Sequence, residues 1–145
     1  MDIAKKAKII KYRFKTLNPY ELAEAMDIII IDTPLPNGTH GFFQHYKRIK
    51  IIYLNEKLNT HDRLQTLAHE LSHAFLHAKM NRIFLDRHTY IATNEYENEA
   101  NLLASYMLLD DFDLKNYINN QFSKQQIVSI TGIDKRIIEK RIQCL

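Results

Sequence analysis

His69-Glu70-Leu71-Ser72-His73 sets two imidazoles four residues apart, with a carboxylate directly after the first. On an α-helix, residues four apart project from one side, so His69 and His73 can share one metal ion. Glu70 is rotated by about 100° from His69 and stands beside such an ion rather than on it. From there a carboxylate can take a proton from water as a general base. Zinc suits imidazole and carboxylate ligands, and three protein ligands leave a fourth position open, which marks a catalytic site. The pattern therefore points to metal-assisted hydrolysis. The bland alternative is a pair of solvated histidines on an exposed helix face. It is weakened because the pair borders the apolar stripe Leu64, Leu67, Ala68, Leu71 and Phe75.

A third ligand must come from elsewhere, and Glu95-Tyr96-Glu97-Asn98-Glu99-Ala100-Asn101 is the obvious source. Glu97 shares its helical side with Ala100, Asn101, Ala104 and Leu108, where two alanines allow close approach to the histidine helix. Glu99 points nearly opposite, so Glu97 is the first choice and Glu99 the second. Asn101, one turn beyond Glu97, can accept a hydrogen bond from the outer nitrogen of a ligand histidine and orient it. His77 continues the four-residue series. One straight helix spreads His69, His73 and His77 over about 12 Å, so His77 is given a structural role. His40, His45, His61 and His88 have no partner at ligand spacing and read as surface or loop residues. An oxyanion donor would help a peptidase, and His88, Tyr90 and Tyr96 are candidates only by nearness in sequence.

These residues need a scaffold. Residues 2–16 read as an amphipathic helix, with Ile3, Ala7, Ile10 and Phe14 near one face. Asn18 caps a second helix with Pro19 at its first position, Glu21 placed to reach back to the Asn18 amide, and an end near Met26. Ile28–Ile31 reads as a strand closed by a Pro- and Asn-Gly-containing loop. Gly41–Tyr46 and Ile49–Leu54 form a hairpin about Lys47-Arg48, which completes a small three-stranded sheet. The helical period returns at Thr60 and carries the histidine motif. An irregular connection from Asn81 to Asn94 leads to a largely buried helix from Glu95 to Leu109. Short helices over Phe112–Ile118 and Lys124–Ile142, broken at Gly132, close the chain. The expected class is α+β, a small three-stranded sheet packed on helices. It is read as a single domain over 1–145, with 1–59 as N-terminal helices and sheet, 60–109 as the site helices and 110–145 as the C-terminal helical segment.

The run Leu67-Ala68-His69-Glu70-Leu71-Ser72-His73-Ala74-Phe75-Leu76-His77, followed by Glu97-Asn98-Glu99-Ala100-Asn101-Leu102-Leu103-Ala104, resembles the ImmA/IrrE family of metallo-endopeptidases. Asn18-Pro19-Tyr20-Glu21-Leu22-Ala23 and Leu35-Pro36-Asn37-Gly38-Thr39-His40-Gly41-Phe42 extend the likeness, which covers about residues 17–109. The resemblance implies a minimal gluzincin-like, zincin-type fold. It implies zinc held by His69, His73 and Glu97, with Glu70 as the catalytic acid/base. It further implies a protein substrate, a helix-turn-helix transcriptional repressor encoded on a phage or mobile element, which the enzyme cleaves or inactivates. Leu108-Leu109-Asp110 stands where that family commonly has Met-Pro, which alters a helix stop and leaves the ligands untouched. The length leaves no room for the sensor domain of larger members.

Bulk properties agree. Hydrophobic residues make up 46% and charged residues 26%, the usage of a globular domain that can bury its own core. Cys144 is the single cysteine, so no internal disulfide forms, which fits a reducing cytoplasm. Lysines and arginines interrupt every apolar run before residue 16, unlike a secretory leader. Ile28–Ile31 is far shorter than the roughly 20 residues that span a bilayer, so no membrane partner is expected. A net charge of +3 does not argue for nucleic acid. Residues 125–141 have a helix, glycine turn, helix rhythm, with Lys135, Arg136, Lys140 and Arg141 as possible DNA contacts. Aliphatic residues outnumber them, so a packing module is preferred over direct DNA binding. The main rival to an enzyme is a non-catalytic module that masks a repressor, with a structural metal.

Overall fold

A computed structural model describes residues 1–77 and 90–145, with the backbone alone described at residues 90–93. Asp2 caps α1 (Ile3–Phe14), which buries Ile3, Ala7 and Ile10 and ends where Lys15 turns left-handed. Asn18 caps α2 (Pro19–Ala25) by accepting from the amides of Tyr20 and Glu21. Glu21 does not reach the Asn18 amide as expected. Its carboxylate accepts from the Thr16 hydroxyl at 2.8 Å, and that oxygen accepts from the Asn18 amide at 3.0 Å, so Thr16 relays the cap.

The sheet has the order β1 (Ile28–Thr33), β3 (Ile49–Asn55), β2 (Gly41–Tyr46). β1 runs parallel to β3, with Ile30 opposite Ile52, whereas β2 forms an antiparallel hairpin with β3, Phe43 opposite Ile52. Alternation along each strand sends Ile28, Ile52 and Leu54 into the core and leaves Ile29 and Ile49 about half exposed on the other face. Against the inner face lies α3 (Thr60–His77), contributing the fully buried Leu67, Ala68 and Leu71. Arg63 fixes its first turns. The guanidinium holds both oxygens of Asp32 on β1 at 3.0 Å and donates to the Tyr20 hydroxyl on α2.

Next comes α4 (Tyr90–Leu108), which starts five residues before the expected Glu95 and shortens the irregular connection by the same amount. Ile91, Thr93 and Asn94 are weak helix formers, so this first turn is not readable from local preference. Ala100, Leu103 and Ala104 lie buried on α4, and the two alanines permit the close approach to α3.

The chain then folds into α5 (Asp111–Asn119), α6 (Lys124–Thr131) and α7 (Lys135–Gln143), around Leu109, Leu114, Ile127, Ile133 and Ile138. A capping box between Ser123 and Gln126 starts α6, and Gly132, at φ 73°, ends it. A methyl group at Gly132 would come within 2.6 Å of both Gln65 and His61 on α3, so this turn sits directly on the start of the histidine helix. Among the described residues, no helix is long and apolar enough to cross a membrane.

Arg141 departs from the expectation of a possible DNA contact. It is fully buried, donating to the carbonyl oxygens of Ser105 and Leu109 and to Asp111, with its guanidinium 3.8 Å from the Tyr106 ring centre. A cation so enclosed fastens α7 to the C-terminal end of α4, adding a second donor to the Ser105 carbonyl, which already accepts from the Leu109 amide, and capping the Leu109 carbonyl just past the helix end.

Candidate metal centre

One turn of α3 separates His69 and His73, and their Nε2 atoms lie 3.2 Å apart with the rings nearly perpendicular. Glu97 reaches across from α4 so that Oε2 is 3.0 Å from His69 Nε2 and Oε1 is 3.1 Å from His73 Nε2. Each side chain offers a ligand atom, and these atoms lie within 4.8 Å of one another. A tetrahedral ion with bonds of about 2.0–2.1 Å requires ligand atoms about 3.3 Å apart, so this donor set fits one small cation. Glu99, the second choice, does not join the cluster. Its Oε1 lies 3.5 Å from Nε2 of His77.

Electrostatics follow from the convergence. Hydrogen bonds from His69 and then His73 hold the Glu97 carboxyl far below the usual carboxylate range, against the opposing effect of burial. Burial works to lower the His69 pKa, but the Glu97 hydrogen bond, the nearby charges of Glu70 and Glu97 and the Asn101 side chain together raise it. Asn101 lines the same cavity as His69. Burial first, and the neighbouring His73 second, push His77 below the ordinary histidine value, so it is neutral at pH 7.

A pH dependence follows for the metal-free protein. The Glu97 contribution to stability is present above its ordinary 4.5 and is lost as pH falls through its depressed value. The His69 contribution is present below its ordinary 6.5 and is lost as pH rises through its raised value. Both are in force between 4.5 and 6.5. The advantage in unfolding temperature over a Glu97→Ala variant is therefore largest in that window and shrinks on either side. Metal retention runs against the His69 contribution alone, because protons compete for His69 and binding weakens as pH falls.

Glu70 is 3% exposed and lines a cavity of about 250 Å³ with His40, Gly41, Thr66, His69 and Asn101. His40 is an exposed loop residue, as read from sequence, yet it stands at the rim of this cavity, and no spacing in the chain signalled that. An adjoining cavity of about 230 Å³ shares His69 and Asn101 and is walled by Ala104 and Leu108 of α4 and by Ile133 and Ile137 of the C-terminal helices. Of the oxyanion candidates, His88 and the side chain of Tyr90 lie outside the described residues. The Tyr96 ring packs edge-on against His77, with centres 4.7 Å apart.

A small mixed sheet backed by a helix carrying two histidines, with a glutamate helix laid across it, is the α+β arrangement of a metallopeptidase. Residues 23–143 match the IrrE N-terminal-like domain family of peptidases, and the chain belongs to that family. It is 37% identical over 126 residues to the uncharacterized immunity region protein 2 of Bacillus phage phi105, covering 87% of this chain and 79% of the phage protein. It is 30% identical over 132 residues to Metallopeptidase ImmA of Bacillus subtilis strain 168, covering 88% and 76%. The family implies a metal ion and a protein substrate.

Proposed function

We propose that residues 1–145 act as one cytoplasmic domain, a zinc-dependent endopeptidase that cleaves a helix-turn-helix repressor encoded on a phage or mobile element. The observation that carries this reading is the Glu97 carboxylate seated between two imidazole Nε2 atoms, with the buried Glu70 lining the cavity beside them. His69, His73 and Glu97 are the ligands. They would hold a zinc ion, which when bound would supply Lewis-acid polarisation of a scissile carbonyl and acidify water. Glu70 accepts a proton from the attacking water as its oxygen bonds to the carbonyl carbon. It then delivers that proton to the leaving nitrogen as the C–N bond breaks. Asn101 holds the His69 ring in orientation.

The surroundings suit an extended peptide. Among the described residues β2 pairs with β3 alone, and its first residue, Gly41, lines the cavity that holds Glu70. A substrate strand can add along such an edge by main-chain hydrogen bonds. The immunity-region name of the phage relative supports a regulator of immunity as the target. Co-expression with the repressor encoded beside the gene, followed by mass spectrometry, tests the reading. Two discrete fragments that disappear on chelation are expected, and an intact repressor held in a stable complex would replace the peptidase with a masking module.

The ligand choice has its own test. Glu97→Ala removes a ligand and is expected to lose zinc on dialysis, whereas Glu99→Ala keeps all three and retains more. Metal analysis giving the reverse order would reassign the ligand to Glu99.

A further inference from the structure

We propose that His77 and Glu99 are positioning residues that fix the ring and proton of His73 from behind, through a Glu99–His77–His73 chain. The inference rests on His73 being a zinc ligand, as proposed above, and concerns two residues to which that reading gives no role.

The geometry is specific. His73 directs Nε2 toward Glu97 and His69, while its Nδ1 lies 3.0 Å from Nδ1 of His77. Both residues are 7% exposed, so water does not readily replace either partner. The far nitrogen of His77, Nε2, is buried with no hydrogen bond formed among the described residues, and the nearest carboxylate oxygen, Oε1 of Glu99, lies 3.5 Å away, close enough to accept its proton after a small shift, while the Tyr96 ring packs edge-on against His77. Proton placement then follows in one direction. An Nε2 that binds a cation offers a lone pair, which puts the His73 proton on Nδ1. That proton can be donated only if His77 Nδ1 is an acceptor, so the His77 proton sits on Nε2, toward the Glu99 carboxylate. A carboxylate behind a histidine raises the basicity of the next ring in the chain, and here a second imidazole carries the effect across one helical turn.

This also accounts for a histidine at the third place in the series, beyond reach of the ion. Leucine would fill the same core position but could not accept from His73. Asparagine places its Oδ1 near the former Nδ1 and could.

The test measures zinc affinity by chelator competition in wild type, His77→Leu, His77→Asn, Glu99→Gln and His69→Ala, with folding checked by circular dichroism. His77→Leu should weaken binding roughly 10–100-fold. His77→Asn should recover part of the loss, and Glu99→Gln, at a partly exposed position that spares the core, should fall between. In zinc-loaded wild type, ¹⁵N-correlated spectra should show His77 as the Nε2–H tautomer and a downfield His73 Nδ1 proton that disappears in His77→Leu. Wild-type affinity in both His77→Leu and Glu99→Gln, or an Nδ1–H tautomer at His77, would overturn the relay. If His77→Leu does not fold, Glu99→Gln and the wild-type tautomer decide. If His69→Ala binds zinc as wild type does, the metal-centre reading fails and takes the relay with it. Loss of zinc in His69→Ala alone overturns the relay and leaves that reading standing.

Discussion

Glu70→Gln is expected to abolish fragment formation from the co-expressed repressor while the protein stays folded and keeps its zinc. An amide of the same shape fills the same space but cannot accept the proton of water, and loss of a general base typically costs on the order of 10²–10⁴-fold in rate. Because Glu70 lines the cavity rather than joining the His69, His73 and Glu97 cluster, metal content measured on the same preparation should match wild type. Equal disappearance of repressor activity with the variant, without fragments, would show that binding alone suffices.

The second large effect lies away from the site. Arg141→Leu should lower the stability of the whole chain by about 1–3 kcal/mol, the usual cost of leaving a buried acceptor without its hydrogen bond. The substitution removes the side-chain donor of the Leu109 carbonyl oxygen and leaves Asp111 without its cation, while the Ser105 carbonyl keeps the Leu109 amide. Arg141→Lys should recover only part, since one ammonium cannot reproduce a planar fork reaching three acceptors. Urea unfolding of the three proteins measures the differences. A Leu variant as stable as wild type would mean that the network costs as much to bury as it returns.

How much could be read from residues alone depended on the range of each interaction. His69, Glu70 and His73 were legible because their relation is set by the pitch of one helix. Choosing Glu97 over Glu99 used the small residues Ala100 and Ala104, a local signature of close packing, and the structure brings the favoured carboxylate to the histidine pair. The hairpin at Lys47-Arg48 and the cap at Asn18 were equally local. By contrast, parallel pairing of β1 with β3 is a long-range choice that alternation does not specify. Pairing of Glu99 with His77 depends on how α3 and α4 meet. Arg141 failed for a related reason: beside Lys135, Arg136 and Lys140 it resembles one more solvated cation, and only its contacts to Ser105, Leu109 and Asp111 reveal it as core.

Gly132 brings the C-terminal helices close to α3, its turn resting against His61 and Gln65 at the head of that helix. The next residues, Ile133 and Ile137, form one bank of the hollow beside His69, and Ala104 and Leu108 form the other. The width of that hollow is thus governed by how firmly the last helices are moored. Their mooring point is a cation more than thirty residues along the chain from the carbonyls it grips. Loosening the mooring would alter the hollow beside His69 while leaving His69, His73 and Glu97, which belong to α3 and α4, in place.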